Sequence, residues 1–230
     1  LNRPDDVVAL LGQQGADPEL LAILDEVIVV DQGSQHPTDA KGFDEAEKGL
    51  DGRLRVIIQD NLGGSGGFSR GMSETLDAEK STYVLISDDD VRTEPEGIVR
   101  AATFADLSRR PTIVGGQMFS MFDRPYLHSM GERIQPWRFW WGPALPDSEG
   151  HHLDKESLRS TRELHRRVDV DYNGWWMTLI PLSVVREIGL SLPLFIKWDD
   201  AEYSLRARQV GVPTVTLPGA AVWHVPWTDK

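Results

Sequence analysis

Three consecutive aspartates, Asp88 to Asp90, follow an apolar run in the stretch YVLISDDDVR. Like charges side by side repel each other, so local folding alone gives no reason for this arrangement. In an extended backbone, residues i and i+2 point the same way, so Asp88 and Asp90 can share one target. Paired carboxylate oxygens suit a divalent cation. The sequence therefore predicts a metal site at Asp88 and Asp90, with a solvated acidic loop as the alternative.

The aspartates could instead cap the helix predicted over 95–107, which begins a few residues later. Thr93 and Glu96, however, have the spacing of a capping box ahead of that helix, and Pro95 suits its first turn. If Thr93 caps the helix, the three aspartates need another explanation. This favours metal binding over helix capping as the role of the aspartates.

A glycine-rich stretch, NLGGSGGFSRG over 61–71, lies between a predicted strand and a predicted helix. Glycines there let backbone N–H groups approach a ligand, and a helix N-terminus favours an anion. The stretch has neither the Gly-Lys-Ser/Thr of a Walker loop nor the spacing GxGxxG. A flexible linker is the alternative, but the flanking strand and helix favour a tight turn on the ligand side.

The stretch FIKWDDAEYSLRARQVG places Asp199 and Asp200 where a helix should begin. One of them could be the N-cap of that helix. A carboxylate at such a position could also accept a proton from a hydroxyl nucleophile. Residue types and spacing leave both roles open, and they do not explain the adjacent Trp198.

Aromatic residues cluster beside these polar motifs. Trp175 and Trp176, in Asn-Gly-Trp-Trp, are predicted on opposite faces of a strand, one in the core and one offering a flat face to a sugar. Trp198 and one of Trp140 and Trp141 are predicted to line the same mouth. Core packing is the usual fate of a single Trp. Eight Trp residues favour some exposure at a site.

His224 lies near the end of the sequence in AVWHVPW. A lone His more often makes a structural hydrogen bond than a metal contact. An imidazole joined to two carboxylates would nevertheless suit Mn²⁺.

Short strands and helices alternate in the first half of the chain, which must position these groups. Strands are predicted over 26–30, 54–58, 83–86 and 112–114, with helices over 5–11, 18–24, 68–76 and 95–107. This alternation indicates an α/β fold with a mostly parallel sheet, in which ligands bind at the carboxyl ends of the strands. Residues 119–167 break the pattern and are predicted to be an irregular insertion. A strand over 170–181, a helix over 199–210 and two short strands follow.

Composition narrows the function. The chain has 230 residues, 36 acidic against 24 basic residues and a formal charge of −12, which argues against nucleic-acid binding. It has no cysteine, and no apolar run is long enough to cross a membrane. An acidic protein that binds a diphosphate needs a cation, which the aspartates could hold. The sequence thus predicts a metal-dependent transferase that uses a nucleotide-sugar donor.

Motifs along the whole chain resemble those of a known family. VVDQG, QDNLGGSGGFSRG, SDDD, HRRVDVDYNGWW, PLFIKWDDAEYSLR and PTVTLPGAAVWHVPW follow one another as in the bacterial galactofuranosyltransferases that polymerise cell-wall galactan, members of glycosyltransferase family 2. The resemblance implies a glycosyltransferase A-type fold, UDP-galactofuranose as donor and Mn²⁺ or Mg²⁺ as cofactor. It also implies an inverting displacement onto an oligosaccharide or lipid-linked galactan acceptor.

By motif, the resemblance implies roles for nine residues. It makes Asp88, Asp90 and His224 the metal ligands and Asp200 the general base, with Asp199 holding sugar hydroxyls. The remaining positions are Gln32 and Asn61 on the nucleotide side and Trp175 and Trp176 on the sugar side. Trp198 is predicted to bind the substrate from its place beside Asp199 alone.

The expected organisation is one catalytic domain, with a nucleotide-binding half over 1–118 and an insertion and acceptor-side half over 119–230. Relative to the family, a first strand before Asn2-Arg3-Pro4 and the flanking domains are missing, so we expect a fragment of a longer protein. The segment 124–166 matches the family least and is expected to govern acceptor choice. We expect a cytoplasmic location, with membrane association at the inner face only through parts outside this chain. Oligomeric state is left open.

Three alternatives compete with this interpretation. The nearest is a transferase of the same fold for another sugar, such as rhamnose or a hexopyranose. A haloacid dehalogenase-type phosphatase also has Asp-x-Asp after a strand, but it expects Thr or Val where Arg92 stands. The third is a sugar-binding module without catalysis.

Overall fold

A computed structural model describes residues 1–145 and 150–226. The helices of these residues are α1 Pro4–Gly15, α2 Pro18–Ile23, α3 Phe43–Gly49, α4 Gly63–Ala78, α5 Pro95–Leu107, α6 Leu182–Ile188 and α7 Asp199–Gln209. The strands are β1 Val27–Asp31, β2 Leu54–Ile58, β3 Tyr83–Ile86, β4 Val91–Thr93, β5 Ile113–Ser120, β6 Tyr126–Ser129, β7 Glu132–Gln135, β8 Trp140–Pro143, β9 His151–His152, β10 Val168–Val170, β11 Thr178–Pro181 and β12 Thr214–His224.

The main sheet is mixed. Its strand order is β10-β12-β5-β11-β3, with β4 paired to β12 and with β6 and β9 continuing from β5. β12 runs parallel to β5, whereas β11 is antiparallel to both β5 and β3. β1 and β2 form a separate parallel pair. The α/β class is as predicted, but the prediction of a mostly parallel sheet is wrong. Within the described residues no crossover helix joins β5 to β11, and the chain returns in the opposite direction.

Helices cover both faces of the main sheet. On one face, α1, α2 and α5 pack on β11 and β12 through a core that includes Leu10, Ile98 and Val215. On the other, α4, α6 and α7 pack on β3, β5 and β11 around Met72 and Tyr203. Burial of these apolar side chains fixes the strands whose carboxyl ends carry the candidate site.

The predicted strands and helices of the first half are present, but two predictions about helix starts are wrong. α4 begins at Gly63, so the glycines form its first turns, and only Gly63 (φ +74°) has the left-handed conformation of a tight turn. The capping box is absent. Thr93 lies in β4, and its buried hydroxyl makes no hydrogen bond to any residue that the structure describes. Glu94 is the N-cap residue of α5, and its side chain makes no cap bond there.

The insertion predicted over 124–166 contains short strands and single turns of 3₁₀ helix, with residues 146–149 outside the described part. The hairpin β7–β8 exposes Trp137, Phe139 and Trp140 at its tip. The strand predicted over 170–181 is two strands, β10 and β11, joined by a turn that contains Trp175 and Trp176. The prediction that these indoles lie on opposite faces of a strand is therefore wrong. Among the described residues, no helix is long and apolar enough to span a membrane.

Candidate active site

Two carboxylates and an imidazole converge at one end of the main sheet. Asp88 and Asp90 follow β3, and His224 is the last residue of β12. β4 pairs antiparallel with β12 and sets Val91 opposite His224, which brings the adjacent Asp90 to the imidazole. The Nε2 atom of His224 lies 2.8 Å from Oδ1 of Asp90 and 3.3 Å from Oδ2 of Asp88. One ligand atom from each of the three lies within 4.8 Å of the others.

The chemistry of this trio fits a divalent cation. Asp90 is 4% exposed, and neither ring nitrogen of His224 makes a hydrogen bond of acceptable geometry despite the short distances. Three ligand atoms this close together offer a divalent cation two carboxylate oxygens and one imidazole nitrogen. Burial lowers the pKa of His224, but the two carboxylates raise it more, to about 9. A divalent cation would displace that proton, because a ligating imidazole is neutral, and its charge would balance the two carboxylates.

A second acidic pair, Asp199 and Asp200, lies in the first turn of α7. Trp198 precedes the helix with φ +68°, so neither aspartate is the N-cap residue, and that alternative is not observed. Oδ1 of Asp200 accepts a hydrogen bond of 2.7 Å from the backbone N–H of Ala201. The negative charge of Asp88 acts on both aspartates, so the acidic pair lies near Asp88.

The pKa values of both aspartates in this pair are raised, so each carboxyl group keeps its proton to a higher pH than an ordinary aspartate does. Burial is the main cause of the raised pKa of Asp199, and the charge of Asp88 adds to it while backbone hydrogen bonds oppose it. For Asp200, burial first, then the charges of Asp199 and Asp88, raise the pKa to about 7, against the opposing bond from Ala201. A carboxyl group with a pKa near neutrality is matched to general-base catalysis.

The N-terminus of α4 lies against the loop that leads into α7. A Cβ atom on Gly63 would lie 1.9 Å from the carbonyl oxygen of Phe195, and one on Gly64 would lie 3.7 Å from Oδ2 of Asp199. Glycine at position 63 is therefore required both by its positive φ and by the close approach of another backbone. This approach places the glycine-rich stretch at the cleft, as predicted.

A cavity of about 1020 Å³ opens between β1 and β3 and reaches their carboxyl ends. Gln32 and Asn61, both lining it or its rim, organise the loops there. Gln32 donates a 2.9 Å hydrogen bond to the carbonyl of Gly63 and accepts one of 2.8 Å from the N–H of Leu62. Asn61 accepts a hydrogen bond of 3.0 Å from the N–H of Gly63.

The three predicted sugar-side Trp residues differ in exposure. Trp175 is 4% exposed and packs between Phe68 and Tyr203, with ring centroids 5.1 and 5.8 Å away. Trp176 is half-buried; its Nε1 donates to the carbonyl of Gly116, and its own carbonyl accepts from Ser87, next to the metal trio.

Trp198 is 40% exposed and belongs to an aromatic group beside the cleft. Its ring meets that of Trp141 edge to face at 5.1 Å, and Trp141 stacks on Trp140 at 4.2 Å. Trp198 thus contacts Trp141 directly and Trp140 only through it, and the role of these rings at the mouth of the site stays a prediction.

Sequence reasoning missed two neighbours of the site. Arg3 Nη1 lies 3.4 Å from Oδ2 of Asp90. The two residues are 87 positions apart in the sequence, so no local pattern predicts this contact. Tyr172 is buried, and the charges of Glu132 and Asp200 add to the burial that raises its pKa. Tyr172 lies within the strand predicted over 170–181, where no residue pattern marked it as a neighbour of Asp200. Asp89 faces outward, 41% exposed, with Oδ2 2.9 Å from the nitrogen of Leu1.

Comparison with known proteins now bears on this site. The profile of the family described as "Glycosyltransferase like family 2" matches residues 19–229. The chain belongs to this family. The resemblance stated from the motifs is confirmed, and a glycosyltransferase is favoured over the phosphatase and the non-catalytic sugar-binding module.

Curated relatives of this glycosyltransferase chain are longer than it is. The galactofuranosyltransferase GlfT2 of Mycolicibacterium smegmatis is 47% identical over an alignment of 236 residues, and that of Mycobacterium tuberculosis is 46% identical over 235. Both alignments cover the whole chain, which spans only 36% and 37% of the relatives' lengths.

Solved structures of low identity share the fold. GalNAc-T7 with UDP, GalNAc and Mn²⁺ has a TM-score of 0.64 at 16% identity, over 88% of this chain and 38% of that one. TarS 1-349 of S. aureus has 0.57 at 15%, over 95% and 56%. The mannosyltransferase PcManGT of Pyrobaculum calidifontis, with GDP-Man and Mn²⁺, has 0.56 at 13%, over 97% and 54%. The glycosyltransferase A-type fold predicted from the sequence is thus confirmed.

Proposed function

We propose that this chain is the catalytic domain of a metal-dependent, inverting enzyme that transfers galactofuranose from UDP-galactofuranose to a hydroxyl group of a galactan-type acceptor. The observation that carries the proposal is a cluster of three possible metal ligands, Asp88, Asp90 and His224, with the acidic pair Asp199 and Asp200 near enough for the charge of Asp88 to act on it. The identity of 47% to a galactofuranosyltransferase supports the choice of sugar.

Donor binding is assigned to the carboxyl ends of the strands. Asp88, Asp90 and His224 would hold Mn²⁺ or Mg²⁺, which supplies positive charge for the diphosphate and its developing charge on departure. Gln32 and Asn61 are assigned to the nucleotide side of the cavity, where their hydrogen bonds already shape the two loops. An acidic chain can then bind a doubly anionic donor.

The chemical step is assigned to Asp200. Its carboxylate accepts the proton of the acceptor hydroxyl, the hydroxyl oxygen forms a bond to the anomeric carbon, and the bond from that carbon to the UDP oxygen breaks. Attack on the face opposite the leaving group inverts the configuration. Asp199, buried beside it, is assigned to the hydroxyl groups of the sugar.

The aromatic residues are assigned different roles in sugar binding. Trp198, with Trp140 and Trp141, offers exposed ring faces of the kind that contact the C–H side of a sugar. Trp176 would border the donor sugar beside Ser87. Trp175, packed on Phe68, would support the site from beneath.

The halves of the domain follow from these assignments. We place the nucleotide in 1–118 and acceptor recognition in 119–230, with acceptor choice in 124–166. The acceptor would be an oligosaccharide or lipid-linked galactan, and the reaction would occur in the cytoplasm or at the inner face of the cell membrane. Nucleic acid is not expected as a partner at a formal charge of −12.

A panel of nucleotide sugars tests the proposal. UDP-galactofuranose, UDP-galactopyranose, dTDP-rhamnose and GDP-mannose are each incubated with a short galactofuranose oligosaccharide and Mn²⁺, and elongation is followed by mass spectrometry. We expect elongation with UDP-galactofuranose and its loss on chelation of the metal. Turnover with dTDP-rhamnose or a pyranosyl donor instead would assign another sugar and overturn the galactofuranose proposal.

A further inference from the structure

An array of alternating charges joins the start of α1 to the metal-ligand trio. The Oδ2 atom of Asp6 lies 3.3 Å from Nη1 of Arg3, and its Oδ1 atom lies 2.8 Å from Nη2 of Arg92. The same Nη1 atom of Arg3 lies 3.4 Å from Oδ2 of Asp90. One guanidinium is thus shared almost equally between Asp6 and a predicted metal ligand.

The far end of the array is anchored in the sheet. Arg92 lies in β4, opposite Trp223 of β12, and its Nη1 donates a 3.0 Å hydrogen bond to the carbonyl of Val91. Because Val91 pairs with His224, Arg92 moves with the strand pair that carries the imidazole ligand. Asp6 therefore connects α1 to the framework of the site and is held from both sides.

The carboxylate of Asp6 affects Asp90 through the charged guanidinium of Arg3, which lies between them. Asp90 is 4% exposed, so a cation beside it acts through little water and strongly affects its electrostatic potential. A guanidinium that paired fully with Asp90 would compete with a divalent cation for the same oxygens. With the carboxylate of Asp6 on its other side, Arg3 stays 3.4 Å away instead of closing on Asp90.

We propose that Asp6 is a positioning residue of the metal site, which holds Arg3 part-way off Asp90 and so keeps Asp90 for the cation. The inference rests on the proposed metal-dependent function and adds a residue that does not touch the metal. Asp6 acts only through Arg3, which makes its effect conditional on that residue.

The test is Mn²⁺ binding to the purified chain, measured by calorimetry without donor sugar or acceptor. Asp6→Asn should weaken Mn²⁺ affinity by roughly tenfold, the order expected for one partly buried charge contact. Asp5→Asn is the matched control, since Asp5 is exposed on the same helical turn and has no ion pair within the described residues. It should bind Mn²⁺ like the unmodified chain, and Asp6→Glu should recover much of the affinity.

A double-mutant cycle separates positioning from general destabilisation. In an Arg3→Gln background, Asp6→Asn should change Mn²⁺ affinity by less than about twofold, because the residue through which it acts is gone. An equal loss in both backgrounds would overturn the inference. If Asp6→Asn does not fold, Arg92→Gln provides the test. This change leaves Arg3 as the partner of Asp6, so Mn²⁺ affinity should be at least as high as in the unmodified chain. A clear loss of Mn²⁺ affinity would contradict the role of Asp6.

Failure of the proposed function has a different signature. An unmodified chain that binds no Mn²⁺ would refute the metal site itself. An unmodified chain that binds Mn²⁺ while Asp6→Asn binds it equally well would refute only the role of Asp6.

Discussion

Replacing Asp200 with Asn should stop turnover and at the same time stabilise the folded protein above neutral pH. The two effects have one origin. Burial and the charges of Asp199 and Asp88 raise the pKa of Asp200 to about 7. The contribution of such a carboxyl group to folding is fully present below about pH 4, where both states are protonated, falls as the pH rises towards 7 and is lost above 7, where the folded state must also ionise. Asn carries no charge at any pH and avoids the loss.

The size of the effect follows from the pKa. A pKa about three units above the ordinary value corresponds to roughly 4 kcal/mol at high pH. The side chain of Asp200 is partly exposed, so solvent screening reduces this to about 1–2 kcal/mol. Turnover should fall by roughly 10²- to 10⁴-fold, the usual contribution of a general base. In the unmodified enzyme, the rate should rise with pH up to about 7 as Asp200 ionises.

Chemical denaturation at pH 5 and pH 8 measures the stability change, and single-turnover kinetics measure the rate. We expect Asp200→Asn to be more stable than the unmodified chain at pH 8, with a much smaller gain at pH 5 and Mn²⁺-dependent UDP affinity within about twofold. A variant that retains its turnover would refute the assignment of Asp200 as the base. A variant that is destabilised at pH 8 would refute the electrostatic reasoning.

Two further predictions concern the aromatic group and the glycine-rich stretch. Trp140→Ala should raise the acceptor KM by about tenfold and leave UDP affinity unchanged, because loss of a stacking ring costs about 1–1.5 kcal/mol. Trp137, which is 78% exposed, provides the control variant Trp137→Ala in the same steady-state assay. Equal effects of the two would contradict a specific platform. Gly63→Ala should destabilise the fold by at least about 2 kcal/mol because of its positive φ and the carbonyl of Phe195. Gly71→Ala, with open space around it inside α4, should stabilise by about 0.5–1 kcal/mol, and urea denaturation of both variants measures the contrast.

The order and type of the elements near the site could be predicted because they depend on local patterns. Short β-branched runs gave β1, β2 and β3 at their observed places, and Pro95 marked the start of α5. The predicted convergence of the Asp88 and Asp90 carboxylates is observed, although Asp89 and Asp90 lie in a turn and not in the extended backbone on which the prediction rested. Patterns of this kind hold whatever the rest of the chain does.

Contacts between distant segments could not be predicted in the same way. The pairing of β4 with β12 brings His224 to Asp90, and it depends on how two strands more than a hundred positions apart align. Tertiary packing also overrode local signals: Thr93 entered a strand instead of capping a helix, and Trp198 took a left-handed conformation ahead of α7. The antiparallel direction of β11 came from the route of the irregular insertion, which no periodicity describes.

Calorimetry of UDP binding with and without Mn²⁺ tests the central claim, that Asp88, Asp90 and His224 hold the cation that recruits the donor. The unmodified chain should bind UDP tightly only with Mn²⁺, and Asp88→Ala, Asp90→Ala and His224→Ala should each lose that dependence while Asp89→Ala keeps it. Unchanged Mn²⁺-dependent UDP affinity in the Asp88→Ala and Asp90→Ala variants would contradict the account.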